Sequence, residues 1–377
     1  MKRDSSTICL FVIIGIVTSL AFTSCRMFAE NAKPLSSKET LARLKGKKII
    51  AVQDYPYDKT NPLDQFGWPE VDKPTTEYDR NYPKRLKKYL DIELIKVDFP
   101  ELDATMKSID REEAKKVADK WVADATRVEN VSNELLVRNA ILYLSLKKLL
   151  KKYDGDAISV TTWFFSGMKN PKGVQLELKL PMSILELSKE HIPSSCQCHI
   201  DCLTTMLIGK LLTGGYMGFD GDVLNEAAFE PKGKRPEDAV VIAHCGAPIN
   251  PHGSDRLPYY IRDHVHPPGC AATYDWPEDE PVTIVKFDVY RKKMSVFTGI
   301  ALDGPALYKN FDNVICRNKV VVKLDDPESS YLLPVGPEEG QFRDWFGSWG
   351  CHQVLFYGDW KKEFKQFAET AGFQIVE

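Results

Sequence analysis

The chain has 377 residues, of which 43% are hydrophobic and 27% charged, and its formal net charge is −3. This composition is that of a folded protein and excludes disorder on a large scale. The near-neutral charge and the lack of a basic stripe argue against a nucleic-acid-binding protein, so no nucleic-acid partner is expected.

The first 25 residues have the pattern of an export signal. Lys2 and Arg3 precede an apolar segment at 8–22, which is shorter than the roughly 20 residues of a spanning helix. Cys25 follows two small polar residues and resembles the lipid-attachment cysteine of bacterial lipoproteins. We expect export to the periplasmic or cell-surface side, with a lipid on Cys25 as the membrane anchor, or secretion, and a polar tether over 26–46. A short uncleaved anchor is the alternative.

The cysteines do not suggest a disulfide scaffold. The chain has nine, and with Cys9 and Cys25 in the signal segment seven remain in the mature protein. An odd number leaves at least one cysteine outside any intrachain disulfide, even in an oxidising compartment.

Strands and helices alternate in the first part of the chain. This alternation predicts a doubly wound, Rossmann-like α/β domain over 47–222. A segment at 54–81 without periodicity is expected to be a long loop that covers a cleft. The predicted elements are a strand at 47–52, a helix at 82–90, a strand at 92–97, helices at 110–125 and 132–152, a strand at 157–162 and a helix at 182–190.

The pattern changes after Asp222. Short alternating segments punctuated by Gly, Pro and Asp predict a β-rich domain over 223–377, either a small barrel or a sandwich. The predicted elements are a strand at 240–243, a hairpin of 282–290 with 294–302, a strand at 314–324 and a helix at 360–371.

The stretch from Cys196 to Asp222 concentrates metal-binding side chains. Apolar residues at helical spacing predict a helix at 201–213, followed by a glycine turn and a short strand at 217–219. His199 would then lie where a strand passes into a helix, and Asp222 just after the next strand. Ligand sites in open α/β sheets gather at the carboxyl ends of strands.

Four segments in order carry a resemblance to a known family. They are Cys198-His199-Ile200-Asp201 with the following Phe219 and Asp222, then Ala243-His244-Cys245-Gly246, the hairpin 282–299, and Gly350-Cys351-His352. With these motifs the chain resembles the L-fucose isomerase-like family of sugar isomerases, from Lys47 to the C terminus and most closely in its last two thirds.

The resemblance implies metal-assisted aldose–ketose isomerisation through an enediol, with a small sugar as substrate. In that family a glutamate, an aspartate and a histidine hold a divalent metal, usually manganese, and the carboxylates move protons. On this sequence the metal ligands would be Asp222 and His352, with His199 at the glutamate position. The catalytic residues would be His199, Asp222 and Asp201.

Further expectations follow from the resemblance. His244 and Trp349 would line the substrate site, and a symmetric homo-oligomer is expected. Because His199 brings no negative charge, the donor set is more typical of Zn²⁺ or Fe²⁺ than of Mn²⁺. Independently of the resemblance, Asp220 is interpreted as a spare carboxylate in a turn.

Other interpretations stay open. His199 fits a histidine bonded to backbone at a strand end, and Asp201 fits a helix N-cap. The cysteines around His199 fit a soft zinc site, although their spacing lacks paired C-x-x-C motifs. Loss of the glutamate also fits a non-catalytic carbohydrate-binding lipoprotein on the same fold.

Overall fold

The computed structural model describes residues 33–52, 72–160, 179–196, 198–225, 229–265, 269–314, 316–326 and 352–376. The predicted signal segment, with Cys25, and Trp349 lie outside these residues. None of the helices in the described ranges is both long and apolar enough to cross a membrane.

Helices dominate the first half and strands the second. The helices are α1 (Ser37–Leu44), α2 (Asp72–Leu90), α3 (Phe99–Lys107), α4 (Arg111–Asp124), α5 (Asn133–Tyr153), α6 (Pro181–Lys189), α7 (Ile200–Leu212), α8 (Gly304–Leu307) and α9 (Lys361–Ala371), with a 3₁₀ turn at Phe311–Asn313. The strands are β1 (Lys48–Val52), β2 (Glu93–Val97), β3 (Val128–Glu129), β4 (Ala157–Val160), β5 (Ser194–Cys196), β6 (Phe219–Asn225), β7 (Ala239–His244), β8 (Tyr259–Asp263), β9 (Cys270–Tyr274), β10 (Pro281–Asp288), β11 (Lys293–Leu302), β12 (Asn318–Leu324), β13 (His352–Tyr357) and β14 (Gln374–Val376).

Side-chain caps set the ends of the predicted helices. Asp110 accepts hydrogen bonds from the backbone N–H groups of the first turn of α4, and Ser132 accepts one from Leu135 at the start of α5. Such caps satisfy N–H groups that have no partner within the helix. α5 ends at Asp154, which is left-handed with φ 53°. The predicted helices at 110–125 and 132–152 are therefore confirmed.

The first part of the chain forms a four-stranded parallel sheet in the order β2-β1-β4-β5. Ile50 and Val160 pack in one apolar cluster with residues of α5. Ile49 and Ala157 pack in a second cluster with residues of α2 and α7. The sheet is thus covered on both faces, which explains why its central strands β1 and β4 are short, largely apolar and buried.

The second part forms a seven-stranded, mostly antiparallel sheet in the order β10-β13-β6-β7-β12-β11-β14, and β10 also pairs with β11. The predicted hairpin is confirmed, with Val285 opposite Val296. A small third sheet has the order β3-β8-β9. The chain is therefore a mixed α/β protein with one parallel and one largely antiparallel sheet.

Three boundary predictions are wrong. Ser37–Leu44 of the expected tether form α1, because Ser36 and Glu39 make a reciprocal capping box. Residues 72–81 of the expected loop belong to α2, and the rest of that loop lies outside the described residues. The strand expected at 217–219 is β6, so the expected domain boundary after Asp222 falls inside a strand.

α7 joins the two large sheets. Its apolar residues share one core cluster with Ala157 of β4 and with Val354 and Phe356 of β13. Gly209 makes this approach possible, since a Cβ at that position would lie 2.1 Å from Cζ of Phe356. Near the N-terminal end of α7, the thiol of Cys202 donates to the carbonyl of His352, which links this end of the helix to β13.

Candidate metal centre

Three side chains from the two sheet regions meet at the start of α7. One ligand atom each from His199, Asp220 and His352 lies within 4.8 Å of the others. His199 is 5% exposed, Asp220 4% and His352 1%. Two imidazoles and a carboxylate are a typical ligand set for a divalent transition metal.

A tight turn aims His199 into this group. Cys198 adopts a left-handed conformation with φ 57°, which is uncommon for a residue other than glycine. Its backbone N–H donates to Oγ of Ser159 at 2.9 Å, and the hydroxyl of Ser195 also donates to Ser159 Oγ at 2.9 Å. Hydroxyl groups of β4 and β5 therefore hold the turn, and His199 follows it as the residue before α7.

The strand β6 supplies two aspartates rather than one. Asp220 and Asp222 share a face of β6, because side chains alternate along a strand. Asp222 lies opposite His352 in the β6–β13 register, and its Oδ1 is 3.4 Å from Nδ1 of His352. Asp220 lies beside His199, with Oδ2 3.4 Å from Nδ1.

The prediction that Asp220 is a turn residue is wrong. It lies within β6 and is the carboxylate of the three-residue group, where Asp222 was expected. The physical reason is that β6 starts at Phe219 and continues past Asp222, so both carboxylates face the same side. Asp222 contacts His352 from outside the group, as a carboxylate that orients a histidine ligand does.

Ring contacts pack the centre tightly. The ring centroids of His199 and His352 are 3.5 Å apart, and those of His244 and His352 are 5.3 Å apart in an edge-to-face arrangement. Among the described groups, the buried Oδ1 of Asp220 receives no hydrogen bond. A buried carboxylate oxygen of this kind is costly unless it has a partner such as a cation.

The protonation states suit metal binding. Burial lowers the pKa of His199, although Asp220 acts in the opposite direction. Burial lowers the pKa of His352 well below its ordinary value, and His199 adds to this. For Asp220, burial acts to raise the pKa, but the charge and hydrogen bond of His199 outweigh it and lower the pKa. At neutral pH the imidazoles are neutral and the carboxylate is charged, as metal ligands must be.

Asp201 belongs to a different set of contacts. Its Oδ1 accepts hydrogen bonds from the hydroxyl of Tyr82 at 2.5 Å and from the backbone N–H of Val289 at 3.1 Å. Burial, followed by the charge of Asp288, raises the pKa of Asp201 to about 7. Asp201 lies in the first turn of α7 and is not its N-cap, so that expectation is wrong. Its contacts tie α7 to α2 and to the residue after β10, and Asp201 is not a member of the three-residue group.

Cys198 and Cys202, the described cysteines of the alternative zinc site, bond to backbone carbonyls. The thiol of Cys198 donates to the carbonyl of Val52, and that of Cys202 donates to the carbonyl of His352. Within the described ranges, His199, Asp220 and His352 are the one group that brings three ligand atoms within 4.8 Å. The side chain of Cys196 is not among those that the structure describes.

Of the two predicted substrate residues, the structure describes His244 but not Trp349. His244 is buried and packs against His352, so it lies beside the centre. His264, which precedes a Pro-Pro-Gly sequence and could from the sequence either reach a substrate or face water, is buried and 6% exposed.

A cleft of about 670 Å³ lies at the other end of α7. Its lining includes Thr213, Tyr216, His252, Glu280 and Trp360. Because α7 is 13 residues long, the cleft and the metal centre are about 20 Å apart along the helix axis. The cleft is therefore separate from the three-residue group.

No protein-family model matches the chain, and no curated protein matches it significantly. The site is therefore interpreted from its own geometry. Sequence reasoning found His199 and His352 but missed Asp220 and the supporting Ser159. The available signal for Asp220 was its two-residue spacing from Asp222, which puts both on one face of a strand.

Proposed function

We propose that His199, Asp220 and His352 hold one divalent metal ion and that the protein is an aldose–ketose isomerase of the L-fucose isomerase-like type. The observation that carries the proposal is the burial of these three ligand atoms within 4.8 Å of one another. The contact of Asp222 with His352 supports it, because metal-binding histidines commonly pair their second ring nitrogen with a carboxylate.

The donor set decides which ion fits. Two neutral imidazoles and one carboxylate suit Zn²⁺ or Fe²⁺, whereas Mn²⁺ prefers more oxygen ligands. The oxygen of Asp220 that receives no hydrogen bond among the described residues is a ready acceptor for a cation. We therefore propose Zn²⁺ or Fe²⁺ in place of the Mn²⁺ that the resemblance implies.

The role of each side chain follows from its exposure. A bound ion would polarise the carbonyl and adjacent hydroxyl of an open-chain sugar. The side chain of Asp222 is 16% exposed while that of His352 is 1% exposed. Asp222 is therefore the carboxylate that reaches the substrate: it accepts the proton from C2 and returns it to C1, while His352 holds its orientation.

The decisive experiment measures metal content and proton exchange together. The purified protein is analysed for bound metals, and a panel of aldoses is incubated with it in heavy water. We expect one equivalent of metal and deuterium incorporation at C2 of at least one aldose. Asp220→Asn should lose the metal, whereas Asp222→Asn, saturated with metal, should lose the exchange.

A metal-free protein would overturn the proposed centre. Stoichiometric metal without exchange, accompanied by thermal stabilisation on adding a sugar, would instead identify the carbohydrate-binding alternative. The matched control is Asp255→Asn, because Asp255 is an exposed aspartate of the distant cleft. This variant should keep both metal and exchange.

The proposal includes the localisation of the protein. We infer export with a lipid on Cys25, tested by fatty-acid labelling of cells that express wild type or Cys25→Ser. Labelling that survives in Cys25→Ser would contradict lipid attachment at this cysteine.

We also propose that the parallel sheet is a doubly wound Rossmann-like domain and that the larger sheet is barrel-like, supported by the additional β10–β11 pairing. A homo-oligomer belongs to the same proposal and is tested by light scattering.

A further inference from the structure

A second group of reactive side chains lies at one end of the β7–β12 pair. The register of these antiparallel strands places Asn318 opposite His244. Cys245 follows His244 and Cys316 precedes Asn318 by two residues, so both cysteines leave the sheet at the same end. The side chain of Asn318 fixes this end by donating to the carbonyl of Cys245 at 3.1 Å.

The two cysteines are in contact. The thiol of Cys245 is hydrogen-bonded to that of Cys316 and to the imidazole of His264. Lys319 donates to the backbone carbonyl of Cys316 at 2.5 Å, which holds the second cysteine in place. Cys245 is 7% exposed, whereas Cys316 is partly exposed.

The composition of this cluster favours thiol redox chemistry over metal binding. Within the described part of the chain, three ligand atoms come within 4.8 Å of one another at the His199 group alone. Cys245, Cys316 and His264 thus do not converge on a common point. Two thiols in contact, one of them reachable from solvent, are the arrangement required for disulfide formation.

We propose that Cys245 and Cys316 are a redox-active dithiol that forms a reversible disulfide by exchange with low-molecular-weight disulfides. This inference does not depend on the proposed isomerase function. Its chemical partner is a small disulfide such as oxidised glutathione.

The exchange has two balanced steps. The sulfur of Cys316, the more exposed of the two, attacks one sulfur of the small disulfide and releases one thiol. The sulfur of Cys245 then attacks Cys316, forms the Cys245–Cys316 bond and releases the second thiol. The two small thiols leave with the two protons of the pair, so the small disulfide is reduced as the protein dithiol is oxidised.

The electrostatics of the cluster support the second step. In the dithiol, the hydrogen bond from Cys316 holds the pKa of the Cys245 thiol well below its ordinary value against the opposing effect of burial. Once Cys316 is in the mixed disulfide it has no proton to donate, and the charge and hydrogen bond of His264 are the contacts that still lower the pKa of Cys245. The thiolate is the nucleophilic form of cysteine. By contrast, burial raises the pKa of Cys270 to about 12.

The test uses the full chain in its folded state. The protein is equilibrated with mixtures of reduced and oxidised glutathione, quenched with acid, alkylated and digested, and its peptides are identified by mass spectrometry. We expect a Cys245–Cys316 linked peptide whose yield rises with the fraction of oxidised glutathione and returns to zero in excess reduced glutathione.

Three variants make the result specific. Cys316→Ser should abolish the linked peptide and leave Cys245 reduced. Cys245→Ser should abolish it and leave a glutathione adduct on Cys316. The matched control is Cys270→Ser, which removes a buried cysteine outside the pair and should keep the linked peptide. Circular dichroism verifies that each variant is folded, and Cys316→Ser alone decides the test if Cys245→Ser does not fold.

Two results would overturn the inference. One is the lack of the linked peptide at every glutathione ratio in the folded wild-type protein. The other is its formation only in denaturant, which would mean that the folded chain keeps the thiols from bonding.

Discussion

The carboxylate of Asp222 contacts the proposed metal centre through the ring of His352. Its Oδ1 lies 3.4 Å from Nδ1 of that histidine. Carboxylates in this position fix the ring and raise the basicity of the other nitrogen, and their loss costs 10–100-fold in metal affinity. We therefore expect Asp222→Asn to weaken zinc binding by roughly 10–100-fold, as measured by competition with a chromogenic chelator.

Asp220→Asn provides the comparison for that experiment. Because Asp220 supplies the one carboxylate of the three-residue group, its loss should weaken zinc binding more than Asp222→Asn does. Equal effects of the two substitutions, or a larger effect of Asp222→Asn, would mean that Asp222 is a direct ligand.

In the proposed metal centre, the identity of residue 199 is expected to set which metal ion is preferred. A glutamate there would add a negative charge and oxygen donors to Asp220 and His352, and Mn²⁺ favours such donors. We expect His199→Glu to raise Mn²⁺ affinity relative to Zn²⁺ by about tenfold or more, equivalent to at least about 1.4 kcal/mol. Calorimetric titration with each ion measures the ratio. His199→Gln, which adds no charge, is the control, and an equal rise in it would remove the electrostatic explanation.

At the scale of elements, α7 packs on β13; His199 is the residue before α7 and His352 is the first residue of β13. A Cβ on Gly209 would lie 2.1 Å from Cζ of Phe356, and Phe356 is fully buried. Although alanine favours a helix by about 1 kcal/mol over glycine, overpacking a core costs about 1–3 kcal/mol. We expect Gly209→Ala to lower stability towards urea and to weaken metal binding, because α7 must move away from β13.

Gly233→Ala is the matched control for the helix contact. A Cβ at Gly233 has no atom within 4 Å and the residue lacks a positive φ. This variant should retain wild-type stability and metal affinity. If Gly209→Ala lowers stability but leaves metal affinity unchanged, the position of α7 does not control the centre.

The elements differ in how far the sequence predicts them. α4 and α5 begin at residues that cap them, α7 has apolar residues at helical spacing, and all three helices form where expected. In β6 the Asp-Gly-Asp sequence at 220–222 interrupts the apolar pattern, and the pairing of β6 with β13 depends on residues far apart in the chain. The register that sets His352 opposite Asp222 is a tertiary feature. This is why the sequence identified both histidines but selected the wrong aspartate for the three-residue group.

At the scale of the whole molecule, Lys210 links stability to pH. Burial, followed by the charge of Lys47, lowers the pKa of Lys210 to about 7, and Asp156 opposes this. The unfolded chain keeps an ordinary lysine pKa, so between the two values it binds more protons than the folded chain. Stability should therefore rise with pH from about 7 towards 10.

The expected size of this effect is about 2 kcal/mol between pH 7 and 9. The unfolding free energy of wild type and of Lys210→Met is measured at pH 7 and at pH 9. The increase for wild type minus the increase for Lys210→Met is the contribution of Lys210. Lys45→Met is the control, since Lys45 is exposed, and its gain should equal that of wild type. A wild-type gain no larger than that of Lys210→Met would show that Lys210 is charged inside the folded protein at neutral pH.

Metal removal should weaken the molecule without unfolding it. The centre joins α7 to β6 and β13, so an ion that binds the folded chain alone stabilises it by about 2.7 kcal/mol at a free concentration 100 times Kd. For a chain of 377 residues, this corresponds to a Tm decrease of about 3 °C on chelation. Asp220→Asn should show no response to the chelator. Complete unfolding at 25 °C would instead identify a structural metal. We expect the small shift because both large sheets already pack in apolar clusters that include no metal ligand.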